Sequence, residues 1–524
     1  MSVLKNVLHW LWYAGVLLLG LSLAGCGGDD DPQPTPPPVD RPPVEDPNEK
    51  PVASLSVEDV LGSKEPVTVT FSEAMDPASL KLGGSLAAHA DATWKSADTL
   101  ELTISPYWPA GTQVLVIDAS DSEGLAMDTL EKAVEVRSPF TTFQNAATVI
   151  GQQDFVSGDS RQNPDALSAN ANTLDFPSSA VDYNADKDIL LIGDTFDSRV
   201  LGFRGIPEEN NANADFVIGQ PDFTGSSGET SQDKVRAAQG ISAQADTLMI
   251  ADPDSHRVTI YSELPESGPG QASVVLGQEN FVDFNNACAA HRMNHVHNQF
   301  VTPSGRLLVA DSNNNRILVW NRIPEQTGEL PDLVIGQTRL DRCAPNDDDQ
   351  NDLEDTPPSA RTLRHPTDIW SDDERLVIVD NYNHRVLLWH EFPDRNFVPA
   401  DVVLGQGSMN LVVPNDDDMD GITDAAPTAR VVDYPWSAWF ENGQLFIADA
   451  HNNRVLIWNG WPQQSFAPAD IVIGQQTFTK NAANGGAESP AANTLNTPMG
   501  VRLIGEKLLI TDTGNSRVLI FEAE

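Results

Sequence analysis

The stretch Leu307-Leu308-Val309-Ala310-Asp311-Ser312-Asn313-Asn314-Asn315-Arg316-Ile317-Leu318-Val319-Trp320 sets an apolar run, an Asp, four small polar residues, an Arg and a second apolar run closed by an aromatic. Two apolar runs around a short polar segment spell two strands joined by a tight turn. The same arrangement recurs along the chain, its charged pair standing as Asp194/Arg199, Asp252/Arg257, Asp311/Arg316, Asp380/Arg385, Asp449/Arg454 and Asp512/Arg517. The aromatic recurs with it, at Phe203, Tyr261, Trp320, Trp389, Trp458 and Phe521. Six copies in one register make a repeat, and the repeat governs the reading of each residue inside it.

Outward from the turn, a Pro stands four residues past the aromatic at Pro207, Pro265, Pro324, Pro393 and Pro462. A further apolar strand then closes on Gly-Gln at Gly219, Gly277, Gly336, Gly405 and Gly474, always 25 residues after the Asp. The sixth copy stops at Glu524 without that ending, while an unmatched one, Thr148-Val149-Ile150-Gly151-Gln152, precedes the first. An N-terminal strand that forms the outer edge of the last sheet closes the array into a ring and leaves no open sheet edge. The expectation is an all-β chain whose residues 140–524 form a six-bladed β-propeller, four strands per blade, closed by the strand near 146–151.

The units resemble NHL repeats, which run apolar strand, Asp, short Asn-containing turn, Arg-Val and second apolar strand; Asp311 to Ile317 and Asp449 to Val455 carry the likeness best. The resemblance implies a propeller and says little of function. Because the Asp/Arg pairs occur in each unit, they are expected to hold the turn by charge-assisted hydrogen bonds, and the aromatics to pack between neighbouring sheets. What varies is the stretch from each Gly to the next Asp: 43, 33, 34, 44, 44 and 38 residues. In up-and-down blades that stretch and the Asp-x4-Arg turn emerge on the same face, so one face carries the elaboration.

Two of the long stretches hold matching acidic loops. Pro345 to Asp355 aligns without a gap on Pro414 to Asp424, setting Asp347, Asp349, Asn351 and Asp355 against Asp416, Asp418, Asp420 and Asp424. Oxygen ligands at such spacing suit a hard cation of Ca2+ size, and Gly421 permits the sharp turn; the second copy resembles the calcium loops of thrombospondin-type and dockerin repeats. Pro358 and Pro427 stand where an EF-hand has its bidentate Glu, and Asp352 stands where the second copy has Gly421. Cys288 and Cys343 fall in corresponding loops of consecutive blade junctions, and a disulfide between them is expected outside the cytoplasm.

His291, His295, His297 and His365 lie just before or at the start of inner strands, close to the channel mouth. NHL-type amidating lyases bind zinc through histidines near such a mouth, typically after the Pro that opens the inner strand. Here Ser178, Thr367, Trp436 and Met499 follow those prolines, and only His297 corresponds, so the pattern does not assemble the three imidazoles of a zinc site. No Ser nucleophile elbow and no phosphate-binding Gly loop is present.

Ahead of the repeat, residues 52–139 alternate in the strand manner, as in Val67-Thr68-Val69-Thr70-Phe71 and Leu100-Glu101-Leu102-Thr103-Ile104. Phe71 to Asp76 and Trp108 to Thr112 resemble segments of bacterial Ig-like modules, which implies a β-sandwich spacer. Residues 26–51 are rich in Pro and Asp and read as an extended tether. Residues 1–25 read as an export signal, and Leu23-Ala24-Gly25-Cys26 resembles a lipobox, which implies cleavage before Cys26 and its acylation. Gly27 after that Cys suggests the outer membrane by the lipoprotein sorting pattern.

The 524 residues carry 32 Lys+Arg against 76 Asp+Glu, a net charge of -44, which excludes nucleic acid and anionic lipid headgroups as partners. The functional expectation is a membrane-anchored extracytoplasmic lipoprotein of the cell envelope, periplasmic or surface-facing. Its propeller is expected to act as a binding or scaffold platform for a protein or glycan, with Ca2+ as the one cofactor and no organic one. The alternative is a metal-dependent lyase or hydrolase working at the channel mouth.

Overall fold

An apolar run of five or six residues that is buried throughout needs a neighbour on each side, and the repeat supplies it. Leu307–Asp311 and Arg316–Trp320 expose none of their residues, as expected of strands stacked between sheets. The computed structural model describes residues 49–163, 165 and 168–524; the export signal, Cys26 and nearly all of the tether lie outside them.

Six four-stranded antiparallel sheets follow one another along the chain. Blade 1 runs Val181–Asn184, Ile189–Asp194, Arg199–Arg204 and Phe216–Ile218. Blade 2 opens with Gly240–Gln244, blade 3 with Val296–Val301, blade 4 with Pro366–Ser371, blade 5 with Pro435–Glu441 and blade 6 with Pro498–Ile504. Each of these inner strands contacts the next, and the inner strand of blade 6 contacts that of blade 1, so the sheets close into a ring. The outer strand of blade 6 is Thr148–Ile150, paired antiparallel with Arg517–Glu522 in the register Val518 to Ile150. The first strand of the ring thus edges its last sheet, and no blade is left with an unpaired edge at the seam.

The recurrent aromatics fill the space between blades. Trp389, Tyr261 and Phe521 are fully buried, each worth roughly 1.5–3 kcal/mol of transfer free energy. The Gly of each Gly-Gln ending has φ between 82° and 91°, and a Cβ on Gly336 would stand 2.8 Å from Leu363 Cδ1. Only Gly meets both demands.

Residues 53–136 form a separate two-sheet sandwich. One sheet orders Ala53–Leu55, Val67–Phe71, Thr99–Thr103 and Asp91–Ser96; the other orders Val60–Leu61, Leu130–Val136, Gly111–Asp118 and Lys81–Gly83. Trp108, Leu100, Leu115 and Val134 share its core. The sandwich docks on blades 5 and 6 at the face opposite the Asp-x4-Arg turns. Tyr107 and Phe140 join the propeller's core, Ser63 Oγ donates to the Glu524 carbonyl at 2.6 Å, and Gln444 Nε2 donates to Ser138 Oγ at 3.0 Å.

Candidate functional site

The Asp-x4-Arg segment is a single 3-10 turn closed by a residue in the left-handed region, as at Asn315 (φ 53°) and His384 (φ 50°). In each blade the Arg Nε donates to the Asp Oδ2. The distance is 2.8 Å for Arg199 on Asp194, 3.2 Å for Arg257 on Asp252, and 2.7 Å for Arg316 on Asp311, Arg385 on Asp380, Arg454 on Asp449 and Arg517 on Asp512.

The pairs hold the turn as expected, and the arginines do more than that. A side chain that served the turn alone could keep its outer donors in water, yet Arg199, Arg257, Arg316, Arg385, Arg454 and Arg517 are all fully buried. Their remaining donors pin the loops on either side. Arg385 Nη2 donates to the Ser359 and Thr362 carbonyls at 3.0 and 2.9 Å, and its Nη1 to the Met409 carbonyl. Arg454 does the same on Thr428, Val431 and Phe478. In blades 1 to 5 the Nη1 partner is the carbonyl 24 residues on, as from Arg199 to Phe223 and from Arg257 to Phe281. In blade 6 Arg517 reaches across the seam to the Phe155 carbonyl at 2.7 Å, the equivalent place beyond the closing strand.

The other oxygen of the Asp accepts from the backbone just before the inner strand of its own blade, Asp433 N to Asp449 Oδ1 at 2.7 Å and Asn496 N to Asp512 Oδ1 at 2.6 Å. Burial pushes the carboxyls of Asp311, Asp449 and Asp512 above their ordinary range, against the pull of the paired guanidinium.

The Gln of each Gly-Gln ending extends this clasp. Gln337 Nε2 donates to the Asn315 carbonyl at 3.2 Å and to the Ala344 carbonyl at 2.9 Å, and Gln475 repeats this on Asn453 and Ala482. The left-handed residue ties one blade to the next: His256 Nδ1 accepts from His295 N, Asn315 Oδ1 from His365 N, and His384 Nδ1 from Tyr434 N, at 3.0–3.1 Å. Each variable loop is therefore fixed at both ends by buried charge and amide groups. These functions of Gln and of the left-handed residue are not apparent from residue type alone, since their partners are backbone groups.

On this fixed rim stand the two acidic loops. Among the described residues, the groups of three or more acidic, imidazole or thiol donors with ligand atoms within 4.8 Å of one another are Asp347, Asp349, Asp355 and Asp416, Asp418, Asp420. In both loops the first Asp accepts two backbone N–H bonds, from Asn351 and Asp352 at 2.9 Å and from Asp420 and Gly421 at 3.1 and 2.9 Å. Asp355 and Asp424 accept from Asp348 N and Asp417 N at 2.8 and 2.9 Å. Asp352 takes φ 69° where Gly421 takes φ 84°, so the Asp that departs from the calcium-loop pattern keeps its backbone path, as Asp can. An all-oxygen donor set of this kind fits a hard cation such as Ca2+. Asn346 and Asn383, like Asn415 and Asn452, exchange amide bonds at 2.8–3.0 Å and seat each loop on its blade's turn. Cys288 and Cys343 are joined by a disulfide, linking the loops on either side of blade 3.

At the channel mouth the structure gathers imidazoles that the sequence pattern did not assemble. His297 lies with its ring centroid 4.8 Å from His295 and 4.9 Å from His365, and His295 and His365 are 6.4 Å apart. His365 stacks on Tyr382 at 4.1 Å, and Trp436 stands edge-on to His297 at 5.3 Å. The three positions come from two blades, which is why no single-repeat alignment brings them together. Burial holds all three below their ordinary pKa, His365 at about 3, with neighbouring imidazoles adding to the shift at His297 and His365. His297 is 3% exposed, and neither ring nitrogen has a hydrogen-bond partner among the described residues. The donor atoms of the three are not within the 4.8 Å that the acidic loops achieve. His291 is exposed.

Neither a protein-family model nor a curated protein sequence matches the chain. Among solved structures, a protein of unknown function from Bacteroides thetaiotaomicron VPI-5482 aligns at 13% identity over 91% of this chain and 99% of its own, with a TM-score of 0.51. An auxiliary nutrient binding protein from Bacteroides ovatus aligns over 91% and 98% at 11% identity and a TM-score of 0.41. Virginiamycin B lyase from Staphylococcus aureus aligns over 84% and 99% at 11% identity and a TM-score of 0.31. At these identities the first likeness is one of fold, and the other two carry no argument.

Proposed function

We propose that the protein is a membrane-anchored extracytoplasmic lipoprotein whose propeller presents its loop face to another protein of the cell envelope as a binding or scaffold platform. In this reading Cys26 carries the acyl anchor, the Ig-like sandwich is a spacer, and Ca2+ held by Asp347, Asp349 and Asp355 and by Asp416, Asp418 and Asp420 braces the face.

The observation that carries the reading is where large apolar side chains are exposed. Among the described residues eleven are exposed, and eight of these, Val156, Phe196, Val282, Phe284, Leu353, Tyr382, Met419 and Ile422, stand on loops or turns of one face. Soluble surfaces scatter such residues, whereas a concentration rimmed by polar groups marks an interaction face. Phe196 stacks on Phe176 at 4.4 Å and is therefore held as a rigid projection. The test is photocrosslinking in the envelope of the source cell from probes at Phe196, Tyr382 and Ile422, with a control at the exposed Leu330. Recurring adducts from the first three and none from Leu330 support the platform. Equal labelling from both faces, or none, contradicts it.

A second reading, a metal-dependent lyase or hydrolase, is favoured by the buried and unpartnered His297 beside His295 and His365. It requires that a transition metal copurify with the chain and be lost in both His297→Ala and His365→Ala; metal-free protein removes it.

A further inference from the structure

The opposite mouth of the channel holds a cavity of about 950 Å³ to which all six blades and the sandwich contribute. Ser85, His89, Pro109 and Gln113 of the sandwich wall one side, and the far ends of the inner strands with their hairpins, together with Gly460 and Trp461 past the third strand of blade 5, supply the rest. Its volume is that of a ligand pocket, which proteins commonly place where two domains meet.

The lining is aromatic. Phe300, Trp370, Trp439, Phe440 and Trp461 border it, and their rings brace one another: Phe300 on Trp439 at 5.8 Å, Trp370 on Phe440 at 5.3 Å, Phe440 on Trp461 at 5.2 Å. Trp461 Nε1 is fixed by His390 Nδ1 at 2.9 Å and Trp439 Nε1 by Glu441 Oε2 at 3.1 Å. Among these rings sit two guanidiniums that are already paired. Arg375 donates to Asp372 at 2.8 Å and lies 4.6 Å from both the Phe440 and Trp461 rings. Arg502 pairs with the buried Asp182 and lies 3.4 Å over Trp439.

That arrangement selects a ligand class. Anions are disfavoured because both cations are neutralised within the wall and carboxylates, with Asp186 and Glu441 added, outnumber them. Ammonium ligands would need aromatic faces that the protein's own guanidiniums cover. What remains is rigid planar hydrogen-bonding groups, with Gln113 beside them, set among apolar ring edges. Such walls match a neutral polyhydroxylated ring, whose hydroxyls bond the planar side chains while its C–H groups lie against the ring edges that the guanidiniums leave open. We infer that this interdomain pocket binds a neutral oligosaccharide, at a site on the face away from the loop platform. The two sites are independent, and either can fail alone.

The full chain in detergent is titrated with short neutral gluco-, manno-, galacto- and xylo-oligosaccharides and with acidic uronate oligosaccharides, reading tryptophan fluorescence and heat of binding. The inference expects one neutral class to bind, about tenfold more weakly in Trp461→Ala and in His89→Trp, and unchanged in the loop-face variant Phe196→Ala. His89 is exposed on the sandwich, so the bulky variant fills the pocket without disturbing the core and carries the test if Trp461→Ala fails to fold. No binding of any neutral oligosaccharide up to about 1 mM, wild-type affinity in His89→Trp, or uronates bound equally well overturns the inference.

Discussion

A buried arginine is costly unless each of its donors is satisfied, and six are completely buried among the described residues. They are satisfied because each guanidinium spreads its donors over one carboxylate and several backbone carbonyls of the loops it pins. Arg316→Met keeps the bulk, removes those donors and leaves Asp311 in the interior without its counter-ion; it is expected to cost about 3–5 kcal/mol, read as a fall in the denaturant midpoint. The pairing of Asp with Arg was legible in the sequence. The reach of Arg385 or Arg316 to a carbonyl 24 residues on was not, because a carbonyl partner has no residue type. The channel-mouth imidazoles make a pH prediction at the same scale. His365 titrates at about 3 in the folded chain against about 6.5 unfolded, so the unfolded state binds more protons between those values. Stability is then fully present above about pH 6.5 and declines as the pH falls toward 3, and His365→Gln should flatten that decline in denaturant titrations.

At the scale of the element, the strands were readable because a fully buried apolar run between turn residues has few alternatives, and the fixed 25-residue spacing placed the Gly-Gln strand without ambiguity. The loops were less readable. The acidic loops declared their spacing, but that Asp352 would follow the path of Gly421 rests on a left-handed conformation that a sequence pattern does not encode. The disulfide acts between two such loops. Its 55-residue span corresponds, in the chain-entropy account, to roughly 4 kcal/mol of restricted unfolded chain. Cys288→Ser with Cys343→Ser should lower the melting temperature of the exported protein, and reductant should do the same to the wild type while leaving the double variant unmoved. Equal melting of the two proteins would show that the bond does not restrain the unfolded chain.

At the scale of the molecule, ring closure was arithmetic: a copy missing at one end and surplus at the other. The docking of the sandwich was not, since Tyr107, Ser138 and Gln444 carry no motif, and the pocket it completes draws on all six blades and the sandwich, which no single repeat reveals. The resulting division of labour is a rigid ring, a clasped loop face and a walled opposite mouth. Function on this view turns on acidic loops that brace the loop face with calcium, and not on a metalloenzyme at its centre. Elemental mass spectrometry of the natively exported protein, kept in calcium-containing buffer and melted before and after chelation, tests this most directly. Calcium bracing predicts calcium, up to one ion per acidic loop, no zinc, and a melting temperature that falls on chelation. Stoichiometric zinc, or a protein free of metal whose melting ignores the chelator, would contradict it.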